Sequence, residues 1–137
     1  ADMREILNHK IKIREWFRPL APSMLEEHGN EVFGVEHHDP FMITVIEVAE
    51  KYKSKIPAVV HVDGTARPQM VNRETNPRYW NLINEFKKIT GIPMLLNTSF
   101  NVQEPIVCTP QDAINTFGNA NFDALVLENN LVLRDEN

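Results

Sequence analysis

The sequence predicts an α/β or α+β fold with a mixed sheet. Three observations support this prediction. Strand-like and helical patterns alternate along the 137 residues. Hydrophobic residues make up 42% of the chain, which is sufficient for one packed core. Two of the helical patterns also have clear start and stop signals.

The first third of the chain predicts helix, strand and helix in turn. Residues 2–10 have apolar side chains at helical spacing. Residues 10–14 alternate between basic and apolar side chains, which is typical of a strand. After two prolines, Ser23 and Glu26 form a capping box for a helix that ends near Gly29.

The middle of the chain predicts strands joined by a tight turn. Residues 41–48 and 58–62 are apolar and rich in β-branched side chains. Asp63-Gly64 is a turn signal, so residues 67–72 are expected to return as the second strand of a hairpin.

The second half of the chain has the clearest helix start and stop signals. Asn76 caps a helix, Pro77 lies in its first turn and Gly91 ends it, with an apolar face expected to pack on a sheet. A short buried strand follows at residues 93–96. Thr109 begins another helix that ends near Gly118. Residues 123–127 and 131–134 are expected to form two strands joined by a turn at Asn129-Asn130.

Composition excludes several classes of protein. The net charge of −5 argues against a nucleic-acid partner or an anionic membrane surface. No apolar stretch approaches the roughly 20 residues of a membrane span. The single cysteine fits a reducing compartment, so we expect a cytoplasmic protein. The chain begins without an initiator methionine, which suggests a piece of a longer protein.

The basic strand is the first candidate binding feature. In an extended chain, Lys10, Lys12 and Arg14 project to one face while the isoleucines between them point into the core. Arg18 follows in a proline-bounded bend. Clustered cations favour a phosphate or an adenylate between them. The alternative is a solvated strand face neutralised by Glu15 or other acidic residues.

The second candidate is the polar run from Asn97 to Asn101, at the end of a buried strand. Ligands of α/β folds gather beyond the carboxyl ends of strands, where Ser99 and the amides could bond phosphate or ribose oxygens. Such a run is equally typical of a loop whose side chains cap its own backbone. Both interpretations stay open on the residues alone.

The third candidate is the segment from His61 to Arg67, where Gly64 permits a tight turn. His61 could transfer a proton or bond a phosphate, Asp63 could orient it or hold Mg²⁺, and Arg67 could point back towards the loop. The alternative is a simple hairpin with His61 in the core. No resident metal site is predicted, because the adjacent His37 and His38 would point to opposite faces of a strand.

Five segments of this sequence resemble the C-terminal domain of the NodU/TobZ-type ATP-dependent carbamoyltransferases. They are KIKIREWFRPLAPS (residues 10–23), HVDGTARPQ (61–69), PMLLNTSFN (93–101), EPIV (104–107) and DALV (123–126). The segments occur in the family's order and cover nearly the whole chain. The resemblance therefore implies one domain over residues 1–137, trimmed at its N-terminus from a longer enzyme.

That family domain is similar in turn to the YrdC-like threonylcarbamoyl-adenylate synthases, whose fold is a twisted, open mixed sheet flanked by helices. Their nucleotide-binding signature is a Lys-x-Arg pair followed much later by Ser-x-Asn. Lys12-Ile13-Arg14 and Ser99-Phe100-Asn101 match it. The resemblance thus implies that the basic segment and the polar strand end are two walls of one pocket.

The resemblance also implies roles for individual residues. Lys12 and Arg14 are expected to hold phosphates or carbamoyl phosphate, and Ser99 and Asn101 to hold the adenylate. Arg18 and Arg67 would complete the clamp, with His61 and Asn97 in support; the expected catalytic residues are Arg14, Arg67 and His61.

The implied reaction joins carbamate, derived from carbamoyl phosphate, to ATP with Mg²⁺, giving carbamoyl adenylate. An N-terminal, kinase-like domain with its own iron or other metal would transfer the carbamoyl group to a hydroxyl acceptor. The alternatives are a non-catalytic nucleotide-binding or regulatory module and an interaction domain that docks an acidic partner.

Overall fold

The computed structural model describes residues 2–13, 15 and 17–134. It has a mixed α+β fold, as predicted. Contacts group the described residues into two units. The first unit is Pro19–Thr98, and the second unit combines Asp2–Arg18 with residues 99–134. One domain over residues 1–137 stays a prediction.

Seven strands and five α-helices make up the described part. The strands are β1 (Ala21–Leu25), β2 (Ile46–Glu47), β3 (Thr65–Ala66), β4 (Gln69–Val71), β5 (Met94–Asn97), β6 (Ala124–Leu127) and β7 (Asn130–Leu133). The α-helices are α1 (Asp2–Glu5), α2 (Gly29–Phe33), α3 (Glu50–Lys53), α4 (Pro77–Thr90) and α5 (Pro110–Asn119). A π-helical segment, Ile6–Ile11, continues α1, and a 3₁₀ turn, Glu26–His28, precedes α2.

A three-stranded mixed sheet organises the first unit. Its strand order is β4-β1-β5, with β1 parallel to β4 and antiparallel to β5. Because successive strand residues point to opposite faces, Met24 packs with Val32 and Met70 on one side of β1. Leu25 packs with Ile83 of α4 on the other. This register places Gln69 beside Ser23, and Asn97 beside Ala21.

The helix α4 begins and ends where the sequence predicts. The side chain of Asn76 accepts a hydrogen bond from the backbone N–H of Tyr79, and Gly91 ends the helix at a φ of 77°. The predicted apolar face is only partly buried, since Ile83 is fully buried while Ile89 is 84% exposed. None of the helices in the described part of the chain is long and apolar enough to span a bilayer.

Three more predicted elements are confirmed. β5 covers the predicted buried strand, and α5 begins with the capping box of Thr109 and Asp112. β6 and β7 form the predicted hairpin in the second unit. Its two-residue turn is Glu128-Asn129, one position earlier than expected, with Glu128 at a φ of 55°.

The strand predicted at residues 10–14 is wrong for residues 10–13, and residue 14 lies outside the described residues. The π-helical segment continues to Ile11, and the N–H of Lys12 donates to the carbonyl oxygen of Leu7 at 2.8 Å. Ile13 has a φ of 50° and is 64% exposed rather than in the core. Lys10 is exposed while Lys12 is buried, so the two do not share a strand face.

The helix predicted from Ser23 is also wrong, because that residue lies in the middle of β1. All five residues of β1 are buried between β4 and β5. Pairing on both edges satisfies the backbone and outweighs the local capping pattern. The side chain of Glu26 bonds His38 and Asn72 instead of capping a helix.

The two strands predicted in the middle of the chain are largely absent from the described structure. Only Ile46–Glu47 of residues 41–48 is a strand, and it pairs with β3. Residues 58–62 are turns and irregular backbone with no strand, so the expected hairpin with residues 67–72 is wrong. β4 instead pairs with β1 in parallel. The turn predicted at Asp63-Gly64 is confirmed, and Gly64 has a φ of 83°.

Candidate functional site

Lys12 lies at the centre of the candidate site in the second unit. Its side chain is buried, with a relative exposure of 5%. The ammonium group donates to the side-chain oxygen of Ser99 at 3.3 Å, and to the backbone and side-chain oxygens of Asn101 at 2.6 and 2.8 Å. It also contacts the backbone oxygen of Ser99. Lys12 therefore joins the N-terminal segment to the loop that follows β5.

The loop around Ser99 also holds itself in place. The Ser99 hydroxyl donates to Oδ1 of Asn101 at 2.7 Å, and Nδ2 of Asn101 donates to the carbonyl oxygen of Glu104 at 2.7 Å. Since Lys12 has no acceptor, the Asn101 amide must present its oxygen to the ammonium. The orientation of this amide is consequently fixed from three sides.

Glu104 anchors the far end of the loop on α5. Its Oε1 accepts from the hydroxyl of the buried Thr116 at 2.7 Å, and its Oε2 accepts from the N–H of Gln103 at 3.0 Å. The hydrogen bond from Thr116, with backbone N–H donors, lowers the pKa of Glu104 to about 2. The ionised carboxylate thus links the loop to a helix with a capped start.

A polar pocket of about 410 Å³ opens beside this loop. Its wall carries a lysine, an arginine, a hydroxyl, two amides and one carboxylate. The lining residues are Lys12, Ile13, Glu15, Arg18, Ser99, Asn101, Val102 and Gln103. The volume falls within the roughly 300–1,000 Å³ of small-molecule sites.

Arg18 is an exposed cation of the pocket wall, with a side chain that is 58% exposed and lies 3.8 Å from the carboxylate of Glu15. Its backbone is held more firmly. The fully buried side chain of Asn8 donates from Nδ2 to the carbonyl oxygen of Arg18 at 3.0 Å. Arg14, the remaining cation predicted here, lies outside the described residues, and its role stays a prediction.

Three predicted site residues belong to the first unit: His61, Arg67 and Asn97. Arg67 is exposed and lies between β3 and β4. Asn97 is the half-buried last residue of β5, and its Nδ2 donates to Oε1 of Gln69 at 3.0 Å. These three side chains are positioned by the sheet and its turns.

His61 takes part in a short polar chain. Its Nδ1 lies 3.2 Å from the hydroxyl of Thr65, which donates to the Asp63 carboxylate at 2.6 Å. Because that hydroxyl proton is directed at Asp63, Nδ1 of His61 is the donor of the pair. The hydrogen bonds from Thr65 lower the pKa of Asp63. Asp63 therefore orients His61 through Thr65 rather than directly.

His38 and Asp39 make local hydrogen bonds, whereas Nε2 of His37 is buried without a hydrogen-bond partner among the described residues and lies 3.8 Å from Oδ2 of Asp39. His38 bonds Glu26 at 2.7 Å, and Asp39 accepts from three backbone N–H groups of the following loop. Within residues 2–13, 15 and 17–134, no group of three or more His, Cys, Asp or Glu side chains is arranged to hold a metal ion.

Residues 1–134 match the family described as Carbamoyltransferase C-terminus. The chain belongs to this family. The matched region includes all the described residues of the pocket.

Individual relatives match most of this chain. The chain is 48% identical over 131 residues to nodulation protein NolO of Bradyrhizobium diazoefficiens, covering 93% of this chain and 24% of the relative. It is 43% identical over 100 residues to nodulation protein U of Rhizobium tropici, covering 73% and 17%. An uncharacterized protein of Synechocystis is 43% identical over 148 residues, covering 93% and 24%. The chain thus spans about a quarter or less of these relatives' length.

Sequence reasoning missed three residues that shape this carbamoyltransferase domain. Asn8 gave no signal, because an asparagine in a helical pattern is ordinary. Glu104 was noted only as part of a family segment, and its bond to Thr116 joins two separate motifs. Gln69 also lay inside a quoted segment, but its bonds to Ser23 and Asn97 depend on a strand pairing that the sequence did not predict.

Proposed function

We propose that this carbamoyltransferase domain binds ATP, as its Mg²⁺ complex, together with carbamoyl phosphate, and forms carbamoyl adenylate. The observation that carries the proposal is that Lys12, Arg18, Ser99 and Asn101 line one pocket. Two cations favour an anionic guest, while neutral hydroxyl and amide groups suit ribose and phosphate oxygens. The family match supports a part in carbamoyl transfer.

The proposed reaction has two balanced steps. In the first, the oxygen of water bonds to the phosphorus of carbamoyl phosphate, the bond from that phosphorus to the bridging oxygen breaks, and carbamate, inorganic phosphate and a proton are released. A carbamate oxygen then attacks the α-phosphorus of ATP, the bond from that phosphorus to the α,β-bridging oxygen breaks, and pyrophosphate leaves with the electron pair. The attacking oxygen and the phosphates are all negatively charged, so catalysis depends on positioning and charge neutralisation.

Different residues take different parts in this proposal. Lys12 fixes the loop that carries Ser99 and Asn101, and its positive charge lies at the pocket wall. Arg18, whose side chain is largely exposed, is suited to contact phosphate directly. Arg14, Arg67 and His61 stay candidates for the catalytic contacts, and Asn97 for a supporting one.

The final transfer to a hydroxyl acceptor is assigned to an N-terminal, kinase-like domain of the longer enzyme, with its own iron or other metal. The relatives are four or more times the length of the matched region, which supports further domains in proteins of this kind. We place the protein in the cytoplasm, where ATP and carbamoyl phosphate are both available.

Calorimetric titration of the chain with MgATP, AMP and carbamoyl phosphate tests the pocket. Arg18→Ala should weaken nucleotide binding about tenfold or more, since it removes a charged phosphate contact. Lys88→Ala is the matched control, because Arg18 and Lys88 are 58% and 61% exposed and each pairs with a glutamate three positions earlier. Equal affinity in the two variants would contradict the site.

Turnover separates the enzyme from a non-catalytic nucleotide-binding module. Pyrophosphate release from ATP that depends on carbamoyl phosphate supports the enzyme. Nucleotide binding without such release, even when the N-terminal region of a relative such as NolO is supplied, supports the regulatory module instead.

A further inference from the structure

Glu15 brings a negative charge to a pocket wall that otherwise carries cations and neutral groups. Among the described residues that line the pocket, Glu15 is the one acidic side chain, and Lys12 and Arg18 are the basic ones. All three belong to the second unit. A carboxylate repels phosphate oxygens, so Glu15 is unfavourable in a site proposed for ATP unless a cation lies between the two.

The ion pair with Arg18 is a weak reason for Glu15 to lie in this wall. Oε2 of Glu15 and Nε of Arg18 are 3.8 Å apart, and both side chains are 58% exposed. A long, exposed ion pair contributes little to stability, because water screens it and two flexible side chains must be ordered. The carboxylate can therefore exchange Arg18 for a stronger cation.

The hydroxyl and amide oxygens of Ser99 and Asn101 are poorly placed for a metal ion. The Ser99 hydroxyl donates to Oδ1 of Asn101 at 2.7 Å. That Oδ1 also accepts from the ammonium group of Lys12 at 2.8 Å, and the Ser99 hydroxyl oxygen lies 3.3 Å from the same ammonium. A metal ion on either oxygen would lie beside a like charge. Glu15 is consequently better suited to a divalent cation than these two residues.

We infer that the Glu15 carboxylate receives the Mg²⁺ of MgATP while Arg18 contacts the phosphate oxygens. The inference rests on the proposed function, in which MgATP occupies this pocket. Mg²⁺ prefers oxygen ligands, keeps several waters, and is usually bound through one or two carboxylates together with substrate phosphates. An ion that enters with the nucleotide needs no cage of three acidic or histidine ligands, and the described residues form none.

A carboxylate and a guanidinium in one wall match the two charges of the metal complex. MgATP presents negative phosphate oxygens next to a doubly charged cation, so Arg18 suits the former and Glu15 the latter. Metal-free ATP offers only negative charge, which Glu15 repels. Glu15 thereby selects MgATP over metal-free ATP.

Calorimetric titration with ATP, once in excess Mg²⁺ and once in EDTA, tests this selection. We expect the wild-type chain to bind MgATP about tenfold or more tightly than metal-free ATP. In Glu15→Gln this ratio should fall to one or below, because MgATP loses a ligand while metal-free ATP loses a repulsion. Glu15→Asp keeps the carboxylate and should keep the ratio above one.

Glu85→Gln is the matched control, because Glu85 is also an exposed glutamate paired with a cation three positions later. It should leave the ratio unchanged. An unchanged ratio in Glu15→Gln would overturn the inference. Equal weakening of both forms of ATP in Glu15→Gln would overturn it too, since Glu15 would then accept from a hydroxyl or amino group of the nucleotide.

The wild-type titrations separate this inference from the proposed function. If the wild-type chain binds both forms of ATP equally well, the role of Glu15 fails while the nucleotide site stands. If neither form binds, the proposed function fails and the role of Glu15 fails with it. Affinity is the quantity measured in every case, so the result does not depend on turnover.

Discussion

The ammonium group of Lys12 holds Asn101, 89 positions later in the sequence, by two hydrogen bonds at once: 2.6 Å to the backbone oxygen and 2.8 Å to Oδ1. One cation thus fixes both the path of the loop and the orientation of its amide. A pocket wall built this way needs Lys12 for its shape as well as for its charge.

Replacing Lys12 with methionine should lower the free energy of unfolding by roughly 1–3 kcal/mol, because the oxygens of Ser99 and Asn101 lose their donor. Urea denaturation measures the change. Lys10→Met is the control, since Lys10 is an exposed lysine two positions earlier, and it should stay within about 0.5 kcal/mol of the wild type. Similar losses in both variants would refute a special role for Lys12.

Acid should release the loop at Glu104. The folded-state pKa of about 2 lies below the ordinary value of 4.5, so ionisation of Glu104 favours the folded chain. Its contribution is fully present above pH 4.5 and is lost as the pH falls towards 2. The stability difference between the wild type and Glu104→Gln should therefore shrink over that interval.

The measurement is urea denaturation of both chains at a series of pH values. Glu85→Gln supplies the comparison, because Glu85 is an exposed carboxylate paired with Lys88 on α4. A difference between the wild type and Glu104→Gln that does not vary with pH would argue against the anchoring bond.

The elements that the sequence predicted correctly are those whose signals are local. Asn76, Pro77 and Gly91 bound α4, and Thr109 with Asp112 begins α5, because each contact lies within a few residues. The turn of the β6–β7 hairpin was misplaced by one residue, which is an ordinary boundary error.

The elements that failed depend on distant partners. The alternation at residues 10–14 fits a strand, but no strand partner exists for it among the described residues, and the π-helical segment continues instead. Ser23 fits the local pattern of a helix cap, but it lies in β1, which pairs with β4 on one edge and β5 on the other. Local patterns do not contain such pairings.

The candidate site was predicted by a different route. The alternation of side chains predicted that Lys10 and Lys12 lie on one face, and this is wrong, because Lys10 is exposed while Lys12 is buried. The meeting of Lys12 with Ser99 and Asn101 was expected from the family resemblance, and the distances agree with that proximity. Their roles in binding stay predictions.

Tyr52 should ionise at unusually high pH. Burial and the hydrogen bond that its hydroxyl donates to Glu31 raise its pKa to about 12. The neutral phenol thus stabilises the fold below pH 10, and this contribution is lost as the pH rises towards 12. The chain has two tyrosines, so phenolate absorbance during alkaline titration should lose its high-pH step in Tyr52→Phe. Persistence of that step would assign it to Tyr79.

The capping box of α5 offers a test of local stability. Thr109 accepts from the N–H of Asp112, and Asp112 accepts from the N–H of Thr109. Thr109→Ala should cost about 1 kcal/mol in the free energy of unfolding, whereas Thr109→Ser keeps the hydroxyl and should cost much less. Thermal or urea unfolding measures both. Equal losses would mean that the methyl group, not the cap, matters.

Asp39 explains why most of the predicted strand at residues 41–48 does not form. Its carboxylate, with a relative exposure of 3%, accepts from the N–H groups of Phe41, Ile43 and Thr44 at 2.7–3.0 Å. These are donors that a strand would direct to a neighbouring strand. Asp39→Ala should therefore lower the free energy of unfolding by roughly 1–3 kcal/mol and speed hydrogen exchange at these three amides.

The variant Asp39→Asn tests the two carboxylate oxygens individually. Oδ1 accepts from Phe41, while Oδ2 accepts from both Ile43 and Thr44. Asparagine keeps an oxygen at only one of these two positions, and the amide nitrogen at the other cannot accept a hydrogen bond. We expect an intermediate loss of stability, with faster exchange on the side that loses its acceptor. Asp123→Ala, at an exposed position, controls for loss of an aspartate. Unchanged exchange at residues 41, 43 and 44 in Asp39→Ala would show that something other than this carboxylate keeps the segment from pairing.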